Sequence, residues 1–218
     1  MAVPDGQARV AVEAIDALER GGIPYLVAGG VASTLLGRAR ATDDVDVFVR
    51  REDADEALEL LGRAGFETER TNPQWIFKAE KDGTPIDLVF WLKGGIVVDD
   101  EMLARATERE LGGRRVNVIP PEDLFVIKAI SFDEQSNRHW YDALGLLAVG
   151  PLDWSYLVAR ARHGARRVLS LLIFAQADDL IVPDHAIDAL YREIYAQGGR
   201  DGAPETDARA AGTARPSV

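Results

Sequence analysis

The stretch VAGGVASTLLGRARATDDVDVFVR, from Val27 to Arg50, decides the fold. Its second half, DVDVFV from Asp44 to Val49, alternates with period two and reads as a strand. Asp44 and Asp46 then leave one face, while Val45, Val47 and Val49 point into a core. Two adjacent carboxylates repel each other, so the arrangement is costly unless a cation sits between them. Hard oxygen donors favour Mg2+ or Mn2+. The plainer alternative is an edge strand with one solvated polar face. In the first half, Gly29-Gly30 follows the short apolar run Pro24 to Ala28 and precedes a short helix, Val31 to Leu36. Glycines there let backbone N–H groups approach a phosphate at a helix N-terminus, and Ser33 and Thr34 could add hydroxyl donors. The plainer alternative is a tight turn that needs positive φ. The order strand, Gly-Gly, short helix, loop, Asp-x-Asp strand is more specific than either half.

Outward from this stretch, residues 7–20 have the apolar spacing of an amphipathic helix, ended by Gly21-Gly22. Helical spacing returns over 53–64. Gln74 to Ala79 and Pro85 to Trp91 read as strands joined through Lys81-Asp82-Gly83. Residues 99–108 are expected to be helical and 115–119 to form a strand. Asp87 stands out in PIDLVF as an acid in an otherwise apolar strand. From Pro120 strand signals stop, and helices are expected near 124–130, 140–147, 155–162, 166–177 and 184–195. The expected class is α/β (α+β): a mixed-direction sheet over 1–119, a helical region over 120–197, and a tail from 198 to 218. That tail has almost no large apolar side chain and is expected to be disordered.

Composition narrows the function. With 218 residues and 47% apolar side chains the chain can bury a sizeable core. Its net charge of −11 argues against a broad nucleic-acid-coating surface, though not against a local basic patch. The absence of cysteine removes disulfides, thiolate metal sites and cysteine nucleophiles. His139, His163 and His185 are too scattered to suggest zinc by spacing. No signal peptide or membrane-length apolar run is read, so no membrane partner is expected and the cytoplasm is the default location.

Gly29-Gly30, the Asp44/Asp46 strand and Asp87 on a later strand resemble the nucleotidyltransferase superfamily with the polymerase-β-type fold. The resemblance implies that Asp44, Asp46 and Asp87 hold divalent metal ions, and that Gly29, Gly30 and Ser33 cradle the phosphates of a nucleoside triphosphate. Pro120 to Leu147 is similar to the segment after the core in AbiEii-type and MenT-type toxin nucleotidyltransferases, with Lys128 and Asp142 matching by position. Three residues before that aspartate the family often carries Lys-Asp or Arg-Asp. Here the place reads Arg138-His139, so the second acid is missing.

Lys128 lies on an otherwise apolar helix. It is read either as a charge on nucleotide phosphates or as a lysine snorkelling to solvent. Arg38 and Arg40, between the glycines and the strand, could stabilise the triphosphate or be plain surface. Asp142 could orient Lys128, assist an acceptor hydroxyl, or be an exposed helix acid. RARHGARR, Arg160 to Arg167, is the one concentrated basic patch, read either as a guide for RNA or as a solvated surface. The leading expectation is metal-dependent transfer of a nucleotidyl group from an NTP such as ATP to an acceptor hydroxyl, with release of pyrophosphate. The toxin resemblance implies a tRNA acceptor end and a cognate antitoxin. The alternatives are a small-molecule (aminoglycoside-like) or protein adenylyltransferase, or a non-catalytic nucleotide-binding or antitoxin-partner protein.

Overall fold

The computed structural model describes residues 3–132 and 138–196, so the tail expected from 198 lies outside the described residues. Seven strands form one sheet: β1 Tyr25–Val27, β2 Val45–Val49, β3 Glu67–Asn72, β4 Ile76–Lys81, β5 Thr84–Val89, β6 Thr107–Leu111 and β7 Arg114–Val118. Their order is β3-β4-β5-β2-β1-β7-β6. β2 pairs parallel with β5 and antiparallel with β1, and β1 pairs parallel with β7. The sheet is therefore of mixed direction, as expected. β2 is central, which removes the reading of DVDVFV as an edge strand. Val45, Val47 and Val49 are fully buried. Asp46 is directly beside Asp87 in the register between β2 and β5.

Four helices belong to the first part of the chain: α1 Asp5–Arg20, α2 Gly29–Leu36, α3 Ala54–Arg63 and α4 Asp100–Ala104. α1 buries Ala11, Ala14, Ile15 and Leu18 along one face, the stripe its sequence spacing implies. Among the described residues five follow β7: α5 Pro121–Ser131, α6 Arg138–Val149, α7 Trp154–Arg160, α8 Ala165–Ala177 and α9 Asp184–Ala196, with a 3-10 turn at Ala161–His163. α5 is buried on every side, Glu122, Asp123 and Lys128 included. Leu124, Phe125 and Val126 share one continuous core with Val27, Val47 and Leu88. No helix among the described residues is long and apolar enough to cross a membrane.

Two elements depart from the expectation. β3 is polar and exposed, ETERTN, and carries no apolar alternation to betray it; it exists because β4 offers it an edge. The helix expected over 99–108 stops at Ala104, and Thr107–Leu111 becomes β6. The cause is the Gly112-Gly113 turn, where φ is +57 and +80. That two-residue turn with both φ positive matches strand twist and folds β6 back on β7. Asp82 and Gly83 (φ +51 and +74) make the equivalent turn between β4 and β5.

Candidate functional site

The glycines, the acidic strand and α5 meet at a cleft of about 210 Å3. One wall is Gly29, Gly30, Asp44 and Asp46; Asp87 stands beside them; Lys128 and His139 face them from the helical part. The site therefore joins residues on both sides of Pro120.

Gly29 opens α2 with φ +59, and a Cβ there would lie 1.6 Å from Asp46 Oδ2. Both backbone conformation and space demand glycine. A Cβ on Gly30 would lie 2.4 Å from Thr42 Oγ1, and Thr42 donates to Asp44 Oδ1 at 2.7 Å. Gln7 of α1 donates to the backbone carbonyls of Thr42 and Asp44 at 3.0 and 3.2 Å, holding the loop that carries the acids. The α2 N-terminus is thus packed against the carboxylates with no side chain between.

Asp46 is the strained acid of the group. Burial pushes its carboxyl up to about 6, helped by the neighbouring charges of Asp44 and Asp87; Lys128 and the Gly30 amide pull it back. Buried like charges of this kind favour a cation. Asp87 is differently placed: Lys78, opposite it on β4, binds Oδ1 at 2.9 Å. Among the described residues no group of three or more His, Asp or Glu side chains converges as metal ligands. Asp44, Asp46 and Asp87 nonetheless line one cleft, where Asp87 is also ion-paired with Lys78. Two carboxylates with phosphate and water oxygens suit Mg2+, which rarely takes an all-protein cage. The donor set fits such an ion.

Opposite lies a cationic cluster built on one acid. Asp142 of α6 is fully buried. Its Oδ1 accepts from Arg38 at 2.7 Å and from Arg40 Nε at 3.0 Å, and its Oδ2 lies 3.2 Å from Lys128 Nζ. Burial would raise Asp142, but Lys128 and Arg40 hold it below the ordinary carboxylate range. Lys128 is 3% exposed, so it does not snorkel, and burial lowers its pKa against the pull of Asp142. Nor is Asp142 an exposed helix acid. Its position makes it the anchor of three cations.

Two residues expected to meet phosphate are engaged with other partners. The Ser33 hydroxyl is buried and donates to the Gly29 carbonyl at 2.9 Å, the helical back-bond open to any serine four residues on. Arg38 does not line the cleft; its guanidinium stacks 5.5 Å from the Tyr141 ring while binding Asp142. Arg40 does line it.

His139, at the place of the missing acid, lines the cleft. Its Nδ1 is buried with no hydrogen-bond partner among the described residues. Burial, with Lys128 and Arg138 nearby, lowers its pKa to about 4, so the ring is neutral at pH 7. Sequence reading did not single out Thr42, Gln7 or Lys78. Of these only Lys78 had a signal: counting back from the Asp82-Gly83 turn places it opposite Asp87.

No curated protein matches this sequence. Among solved structures, an antigenic nucleotidyltransferase-like protein from Paracoccidioides brasiliensis shares the fold. It is 17% identical, with a TM-score of 0.53 over 87% of this chain and 94% of its own. The antibiotic-resistance factor ANT(2'')-Ia aligns over 89% of this chain and 96% of its own at 18% identity and a TM-score of 0.49. The lincosamide antibiotic adenylyltransferase LnuA aligns over 69% and 100% at 14% and 0.49. The first of these likenesses bears on the fold alone. The family model described as nucleotidyl transferase of unknown function (DUF2204) matches residues 8–147, from α1 through the Asp142 anchor, and the chain belongs to that family of transferases.

Proposed function

We propose that the protein transfers a nucleotidyl group from a nucleoside triphosphate to an acceptor hydroxyl. The carrying observation is the two-sided cleft: paired carboxylates at a glycine-rich helix N-terminus, faced by buried Lys128 and by Arg40. Asp44 and Asp46 would hold a divalent ion, which supplies positive charge to a triphosphate during in-line displacement. The Gly29-Gly30 backbone can approach phosphate oxygens closely. Arg40 and Lys128, fixed by Asp142, would stabilise the charge that accumulates on the leaving pyrophosphate. The acceptor oxygen forms the new bond to the α-phosphorus as the bond to pyrophosphate breaks. Asp87, ion-paired with Lys78, would accept the hydroxyl proton.

For the acceptor, the tRNA end implied by the toxin resemblance is the reading we adopt, with a cognate antitoxin as partner. A small-molecule acceptor is the alternative that the acidic overall charge favours. The test is incubation with each labelled nucleotide, Mg2+, total tRNA and total protein, followed by mass spectrometry. Transfer should vanish in Asp46→Asn; full activity in that variant would overturn the assignment. Growth arrest on expression, abolished by Asp44→Ala, would support the toxin role. Harmless expression of an active enzyme would transfer support to the small-molecule acceptor.

A further inference from the structure

The basic patch read from the sequence divides in two. Arg160 is buried, bound to Asp123 and Asp99, and serves the fold. Arg162, Arg166 and Arg167 instead line a groove of about 620 Å3, together with Lys93. Among the described residues Glu193 is the one acid on its wall. In a chain of net charge −11 this is a local reversal of sign. Arg162 and Arg166 make no ion pair among the described residues; the Arg166 guanidinium lies 5.4 Å from the Tyr195 ring.

Between this groove and the carboxylate cleft lies a third cavity of about 370 Å3, with an apolar wall of Trp75, Trp91 and Leu92. Both tryptophans are 40% exposed. Each cavity shares wall residues with the next. Trp75, Leu92 and Ser131 line both the cleft and the aromatic shelf; Lys93 and Gly94 line both the shelf and the groove. The seam is tight. Gly94 has φ +84, a Cβ on it would lie 2.5 Å from the His163 carbonyl oxygen, and His163 Nδ1 is 2.9 Å from the Gly94 carbonyl oxygen.

A carboxylate cleft, exposed indoles and a cationic groove in series match one kind of ligand. Flat bases stack on indoles regardless of sequence, and the phosphates that follow need positive charge. We propose that this track binds the single-stranded end of a nucleic acid, with its terminal hydroxyl in the cleft, the bases behind it on Trp75 and Trp91, and its backbone in the groove of Arg162 and Arg166. The proposal rests on the transferase reading for what happens at the terminal hydroxyl, but not for binding. A cationic acceptor such as an aminoglycoside is repelled by the same groove.

The test is direct binding of a labelled single-stranded oligoribonucleotide to the whole protein, by anisotropy and tryptophan quenching across a salt series, with nucleotide transfer measured in parallel. Binding should weaken with salt and quench tryptophan fluorescence. Trp91→Ala should weaken it roughly 5- to 100-fold. Arg162→Ala with Arg166→Ala should make the slope of log Kd against log salt shallower by about 0.7 for each phosphate contact removed. Circular dichroism checks that both variants are folded. Salt-sensitive binding with these changes but no transfer supports the track and overturns the transferase reading. Transfer to a small molecule without oligonucleotide binding overturns the track alone. Binding that ignores both variants, or an acidic peptide that binds more tightly, also overturns it. A duplex of the same sequence should bind less well, since its bases cannot reach the indoles.

Discussion

A methyl group added at Gly29 would sit 1.6 Å from Asp46 Oδ2, on a backbone with φ +59. Gly29→Ala should therefore cost about 1–2 kcal/mol from conformation alone. It should also displace the carboxylate, so thermal denaturation should shift modestly while Mg2+-dependent transfer is lost. Asp46 carries a second expectation. Its folded pKa is raised to about 6 from the ordinary 3.8, so the folded state holds that proton more tightly than the unfolded. Stability from this group is present below pH 4 and lost as pH rises through 6 in metal-free protein. His139 works against it: lowered to about 4, it makes stability fall as pH drops from 6.5 towards 4. Comparing Asp46→Asn with the parent in EDTA cancels the histidine. The parent minus the variant should decline as pH rises through 6. A flat difference would mean that Asp46 is not buried among like charges.

At the scale of elements, α5, α6 and the loop after α2 are tied by Asp142, which binds Arg38, Arg40 and Lys128. Asp142→Ala leaves Lys128 buried without its carboxylate and should cost roughly 3–5 kcal/mol in denaturant unfolding. Lys128→Met with Asp142→Leu removes both charges and should recover much of that stability while activity stays lost. Recovery of activity as well would show that Lys128 has no part in the chemistry. This cluster also marks the limit of what was legible. The glycine pair, Asp44, Asp46 and Asp87 were readable because local period and turn chemistry expose them. Asp142 could be noticed but not assigned, because its partners at Arg38 and Arg40 are about a hundred residues away and only packing unites them. The helix expected over 99–108 failed for a related reason. A polar run has no apolar period to settle its state, and the Gly112-Gly113 turn, not local propensity, makes β6.

For the whole molecule, the acid excess has a measurable consequence. A divalent ion that binds the folded site and not the unfolded chain stabilises the fold by mass action, about 2.7 kcal/mol at a hundred times its dissociation constant. Mg2+ should raise the melting temperature of the parent and leave Asp44→Asn with Asp46→Asn unmoved. An equal rise in both would place the binding elsewhere on this acidic surface. The sheet/helix division near Pro120, legible as the point where strand signals stop, is spanned by the cleft. We therefore expect residues 1–119 alone to lose Lys128, His139 and the Asp142 anchor together, and to show no transfer when assayed against the full chain.

The two strands that escaped sequence reading lie at opposite ends of the sheet order. β3 presents Glu67, Glu69 and Arg70 to solvent, with an irregular register between Glu69 and Asn72; β6 presents Glu108, Arg109 and Glu110. An open sheet offers unpaired backbone groups along both margins, which invites another chain to add a strand. Charges of mixed sign and a broken register spoil that invitation. The polarity that hid these strands thus guards the molecule against polymerising through its own sheet.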